Sequence, residues 1–139
     1  MNDGDDRPRV HVLIVEDNPH MQLLLRHLLE FHFDLALVES VEEALDLASR
    51  QRFDLLLFDI NLGGGKRSGL DLLDVLRRTT VYGATPAVAC TAYGRQSDRE
   101  HFLAHGFDHY VAKPFTREQL YKTIEAALAF SSEDWPAAA

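Results

Sequence analysis

Short apolar runs alternate along the chain with stretches whose apolar residues recur at helical spacing. Residues 10–15 (VHVLIV) are β-branched and nearly all apolar, which predicts a strand buried on both faces. A helix is expected over 19–31, with Asn18 as N-cap and Pro19 at the first helical position. Residues 35–38 form a second short strand. Ser40, followed three residues later by Glu43, is a capping-box pattern that opens a helix to about Gln51. Residues 53–58 (FDLLLF) are a third strand, 63–68 a loop, 70–78 a helix and 87–90 a fourth strand. Ser97 is expected to cap a short helix that ends near Gly106, a glycine placed just past its last turn. Residues 109–112 are a fifth strand, and Thr116 caps a last helix over 117–130.

Five βα units in series predict an α/β fold: a five-stranded parallel sheet with helices on both faces. Right-handed crossovers leave few topologies, and ligands in such sheets bind at the carboxyl ends of the strands. The residues just past each strand are therefore the candidates for chemistry. They are Glu16 and Asp17 after the first strand, and Asp59 with Asn61 after the third. Thr91, next to the small Ala92, follows the fourth, and Lys113 with Pro114 follows the fifth. Three clustered carboxylates repel one another, so they call for a cation, and a hard, oxygen-preferring ion such as Mg²⁺ fits. Lys113 adds a further positive charge. A metal, a carboxylate, a lysine and a hydroxyl outline phosphoryl transfer onto the carboxylate. The carboxylate is a weak nucleophile, so the phosphoryl donor must be high in energy.

Composition narrows the setting. The 139 residues fit one domain, taken as 9–130, between polar tails at 1–8 and 131–139, with Trp135 the one large apolar residue of the second tail. A hydrophobic content of 46% argues against disorder. The formal net charge of −8 argues against sequence-independent binding to nucleic acid or an anionic membrane. Cys90 is the single cysteine, which excludes an internal disulfide and points to a reducing compartment. No signal peptide is visible, and the apolar runs fall far short of the ~20 residues of a membrane helix. A cytoplasmic location is expected.

The set Glu16-Asp17, Asp59, Thr91-Ala92, and Tyr110 with Lys113-Pro114, in this order and on these strand ends, resembles the response-regulator receiver domain of two-component signalling. The resemblance covers about residues 9–130. It implies a flavodoxin-like (βα)5 fold with strand order 2-1-3-4-5. It implies Asp59 as phosphoacceptor and Asp17 as direct Mg²⁺ ligand, with Glu16 acting through water and Asn61 through its carbonyl. Lys113 would pair with Asp59 and then with the phosphoryl group. Thr91 and Tyr110 would be the switch pair, and the Lys113–Pro114 bond would be cis. The expected partner is a sensor histidine kinase or a histidine phosphotransfer protein, followed by a downstream protein, with no direct contact to nucleic acid and no membrane insertion. The chain would be a monomer or a phosphorylation-dependent dimer, a switch that assists its own phosphorylation and dephosphorylation rather than an enzyme. Nine residues follow the last helix, too few for an output domain, which implies a stand-alone regulator. One departure concerns the loop after Asp59: Gly63 stands where the family usually has proline, and about two residues are added.

Other readings are blander. Cys90 lies in a buried strand and reads as inert core. His101 and His105 are four apart on a helix and read as solvated residues without a third ligand. Leu23, Leu24 and Leu25 span about 200° of a helix surface, so at least one is expected to be exposed, as a docking patch for the phosphodonor. Asn61 and Tyr93, each two residues past a site residue, are candidates to tune phosphoryl lifetime. A haloacid dehalogenase-type phosphatase is disfavoured, because it needs an aspartate where this chain has Asn61. A phosphorylation-independent pseudo-receiver is disfavoured by the intact Asp17, Asp59, Thr91 and Lys113.

Overall fold

The computed structural model describes residues 9–62, 68–92 and 96–129. Its elements are β1 (His11–Val15), α1 (Pro19–Leu29), β2 (Asp34–Val38), α2 (Val41–Arg50), β3 (Leu55–Asp59), α3 (Gly69–Arg77), β4 (Ala87–Thr91), α4 (Gln96–Ala104), β5 (His109–Ala112) and α5 (Arg117–Leu128). The strands form one parallel sheet in the order β2-β1-β3-β4-β5.

Strand alternation divides the core in two. Leu13, Val15, Leu56 and Phe58 face α2, α3 and α4, where they meet Ala44, Leu72 and Phe102. Val12, Ile14, Leu55 and Leu57 face α1 and α5, where they meet Leu25, Leu29 and Ile124. Both faces of the central strands are covered, which is why their sequences are continuously apolar. Burying each such side chain stabilises the fold by roughly 1.5–3 kcal/mol.

Local chemistry starts and stops the helices as the sequence predicts, with adjustments at the ends. The Asn18 side chain accepts from the N–H groups of His20 and Met21. Ser40 accepts from the Glu43 N–H, while the Glu43 carboxylate takes the Glu39 N–H rather than closing back on Ser40's own. Thr116 and Gln119 form a reciprocal capping box at α5. α1 stops at Leu29 and α5 at Leu128, each two residues short of the expected end, with Ala129 in the left-handed region at φ 57°. Ser97 is not a cap: the helical backbone already begins at Gln96. Gly106 does follow α4 with φ +107°, a conformation that favours glycine. Ser68, expected at the end of a loop, caps α3 in a box with Asp71.

At the end of the sheet away from the candidate site, the Arg77 guanidinium donates to the carbonyls of Tyr82, Thr85 and Gly106 and pairs with Asp108 at 3.3 Å. It ties the end of α3 to the loops before β4 and β5. The expected tails at 1–8 and 131–139, the Gly63–Arg67 loop, Tyr93 and Trp135 lie outside the described residues. No described helix is long and apolar enough to cross a membrane.

Candidate functional site

Among the described residues, three polar or charged side chains are buried: Glu16, Asp59 and Thr91. All three sit at or just past the carboxyl ends of strands, β1, β3 and β4. Register places them side by side. Asp59 lies opposite Cys90, the residue before Thr91, and Thr91 lies opposite Ala112, the residue before Lys113. The Lys113 N–H donates to the Thr91 carbonyl at 2.8 Å, and the Lys113–Pro114 bond is cis.

Lys113 holds two carboxylates. Its Nζ lies 2.7 Å from Glu16 Oε1 and 3.3 Å from Asp59 Oδ2. Glu16 is thus the nearer partner, 97 positions away in sequence. The other Glu16 oxygen accepts the Asn18 N–H at 3.1 Å. Asn18 therefore serves twice, its side chain as the α1 cap and its backbone as a brace for Glu16. The Gln22 side-chain amide donates to the Glu16 carbonyl, a link from α1 that the sequence did not reveal. Asp59 Oδ1 accepts the Asn61 N–H at 3.1 Å.

Electrostatics follow from this packing. Burial raises the Asp59 carboxyl from its ordinary 3.8 to about 6; the Glu16 charge adds to the rise, and Lys113 and the Asn61 N–H oppose it. Burial acts to lower the Lys113 ammonium, but the hydrogen bond to Glu16 and the Asp59 charge outweigh it and hold the group above its usual value. The Cys90 thiol is pushed up to about 12, chiefly by burial, in keeping with inert core.

Carboxylate oxygens of Glu16, Asp17 and Asp59 lie within 4.8 Å of one another. They line an open cavity of about 280 Å³ together with Asn18, Asn61, Ala92 and Lys113. The donors are all hard oxygens, and three carboxylates against one ammonium leave an excess of negative charge. A hard divalent cation fits both the donor set and the charge.

Two further features bear on this rim. Gly69 opens α3 with its N–H donating to the Ile60 carbonyl at 3.1 Å, and a β-carbon there would run into the carbonyl oxygen of Asp59. A glycine heading a helix is its sole sequence signal. Tyr110 is half-buried, its ring 6.4 Å from that of Phe102 and 4.7 Å below the Arg99 guanidinium, both on α4. Of the three consecutive leucines on α1, Leu25 is buried, whereas Leu23 is 67% and Leu24 40% exposed. Leu24 lines a second cavity, of about 320 Å³, with Asn18, His20, Met21 and Lys113, directly beside the acidic one.

Comparison with known proteins agrees with this geometry. Residues 12–125 match the model of the response regulator receiver domain. The chain is 37% identical over 118 residues to the transcriptional regulatory protein CpxR of Escherichia coli, covering 84% of this chain and 48% of that one. It is 34% identical to the polar-differentiation response regulator DivK of Brucella anthropi, covering 84% of this chain and 94% of that one. The chain thus spans about half the length of the first curated relatives it matches and nearly all of DivK. A chemotaxis response regulator of Vibrio cholerae superposes with a TM-score of 0.80 at 25% identity, over 87% of this chain and 100% of that one. The receiver domain of a sensor histidine kinase from Pseudomonas aeruginosa, described with a magnesium ion in its active site cleft, superposes with a TM-score of 0.77 at 31% identity, over 88% of this chain and 99% of that one. With the family model spanning the sheet and every strand-end residue of the site, the chain belongs to the response regulator receiver domain family.

Proposed function

We propose that this chain is a single-domain response regulator that accepts a phosphoryl group on Asp59 and switches a protein-binding face. The observation that carries the reading is Lys113 held between Glu16 and Asp59 at the floor of the acidic cavity. That arrangement keeps a cation beside the one carboxylate that is both central and reachable.

Asp17 and Asp59, with the Asn61 carbonyl and Glu16 behind them, would hold Mg²⁺. When bound, the ion neutralises charge on the phosphoryl oxygens. Asp59 attacks the phosphorus of a phosphohistidine, the P–N bond breaks, and the imidazole departs with the bonding pair and takes up a proton. At neutral pH an Asp59 of pKa about 6 is mostly ionised and able to attack. Lys113 moves its charge from the carboxylate to the transferred group, and Glu16 keeps it in place throughout. The Thr91 hydroxyl, at the end of the adjacent strand, then turns to a phosphoryl oxygen, and Tyr110 follows it inward.

The donor is a sensor histidine kinase or histidine phosphotransfer protein, for which Leu24 beside the rim and the exposed Leu23 next to it in sequence are the contact. The histidine kinase origin of the Pseudomonas aeruginosa relative and the near full-length match to DivK support this partner class and single-domain output. The chain is not a turnover enzyme; it works in the cytoplasm and signals by protein contact. Asn61 and Tyr93 tune the lifetime of the phosphorylated state. Intact mass after incubation with acetyl phosphate and Mg²⁺ tests the reading. One added phosphoryl group is expected, lost on EDTA treatment before the reaction and lost in Asp59→Asn. Labelling that persists in the Asn variant overturns the assignment.

A further inference from the structure

We propose that His101, in the last turn of α4, and His105, one residue past its end, form a two-imidazole chelate for a late first-row divalent ion that favours right-angled ligands, Cu²⁺ or Ni²⁺. The four-residue spacing by itself supports only two solvated side chains. The structure adds two observations. The rings lie with centroids 4.4 Å apart, and His105 Nδ1 is 3.0 Å from the His101 carbonyl oxygen.

The second observation sets the tautomer. A carbonyl oxygen only accepts, so this contact is a hydrogen bond when Nδ1 carries the proton. The neutral ring then has its lone pair on Nε2. Locking one ring nitrogen on a backbone carbonyl is the usual way a protein orients an imidazole ligand.

The first observation gives the ring spacing. With both Nε2 atoms turned toward one metal about 2.1 Å away, that metal sits about 3.2 Å from each ring centroid. Centroids 4.4 Å apart then subtend about 87° at the metal, close to the ~90° of tetragonal Cu²⁺ or Ni²⁺. A tetrahedral ion such as Zn²⁺ asks for centroids about 5.2 Å apart. Imidazole also separates this site from the carboxylate rim, whose oxygens suit Mg²⁺. Among the described residues no third His, Cys, Asp or Glu joins the pair within chelating distance. Solvent completes the coordination, and affinity is that of a two-ligand site.

The position gives binding a consequence. Phe102 is the buried residue among α4's described side chains, so the helix is held to the body by little apolar contact. The same helix carries Arg99 and Phe102, both against Tyr110. A chelate across its last turn stiffens α4 and biases the Tyr110 face, a consequence that rests on the switch reading above; the binding itself does not.

The test uses the full chain with saturating Mg²⁺ to occupy the acidic rim. Substoichiometric Cu²⁺ should broaden the amide resonances of residues 98–107 before any others. Titration with Ni²⁺ should show one site weakened at least about tenfold in His101→Ala and in His105→Ala and unchanged in His27→Ala. First broadening elsewhere, or equal Ni²⁺ affinity in the wild type and both His variants, overturns the proposal. The Cu²⁺ experiment needs no substitution, and neither measurement depends on phosphorylation.

Discussion

Replacing Asp59 with Asn should make the metal-free protein more stable at neutral pH. The folded carboxyl is raised from 3.8 to about 6, first by burial and then by Glu16. A difference of that size is worth on the order of 3 kcal/mol between the two protonation states. The sign follows from which form the fold prefers. Folding favours the protonated acid, so the ionised acid costs stability. The cost is absent below the unfolded value near 3.8, grows as pH rises toward 6, and is fully present above the folded value. Asn carries no charge to bury, and its amide oxygen still accepts the Asn61 N–H. Lys113 retains Glu16 at 2.7 Å, so the variant leaves no orphaned ammonium. At about 4 °C per kcal/mol for a chain of this size, the melting temperature should rise by up to about 10 °C at pH 7 in EDTA. The gain should shrink steadily between pH 6 and pH 4. A variant that melts at or below wild type at pH 7, or a gain independent of pH over that window, refutes the electrostatic account of the cluster.

Lys113→Met should have the opposite effect, since it strands the buried Glu16 carboxylate; breaking such a pair costs about 3–5 kcal/mol, readable by urea unfolding. Mg²⁺ should raise the melting temperature of wild type more than that of Asp17→Asn, by mass action on the folded state, and equal shifts count against the site. Gly69→Ala should destabilise by about 1–3 kcal/mol and slow acetyl-phosphate labelling, because the new β-carbon displaces the Asp59 peptide. Thr91→Ala should leave labelling largely intact but reduce the change in amide exchange over residues 96–115 on adding beryllofluoride with Mg²⁺.

The parts legible in the sequence are those set by short-range pattern. A parallel strand buried on both faces announces itself as an apolar run, so all five strands were located. The polar residue that ends each run then falls at the rim by construction, which is why Glu16, Asp59, Thr91 and Lys113 were found together. What was missed depends on contacts between distant segments or on helix ends. The Glu16–Lys113 pairing joins the first and fifth strands, and nothing near either residue signals it. Ser68 and Asp71 carry a readable box that the adjacent glycine run obscured. Gly69 matters because of Asp59, ten positions earlier, and only the folded backbone shows the collision. Ser97 has the right residue type for a cap, but the helical backbone begins at Gln96, one residue before it, so residue type alone does not fix the helix start.

The hydrogen bond from Gly69 to Ile60 has a consequence for how such a domain diversifies. It ties the residue just past β3 to the first residue of α3, so the segment between them starts and ends at fixed points. Closure entropy grows only with the logarithm of loop length, and even a doubling costs about 0.6 kcal/mol. Added residues or a lost proline in that loop therefore leave Asp59 where it is. Residues can be added there at little cost to the fold, while Asp59, a few residues away, keeps its place in the acidic cavity.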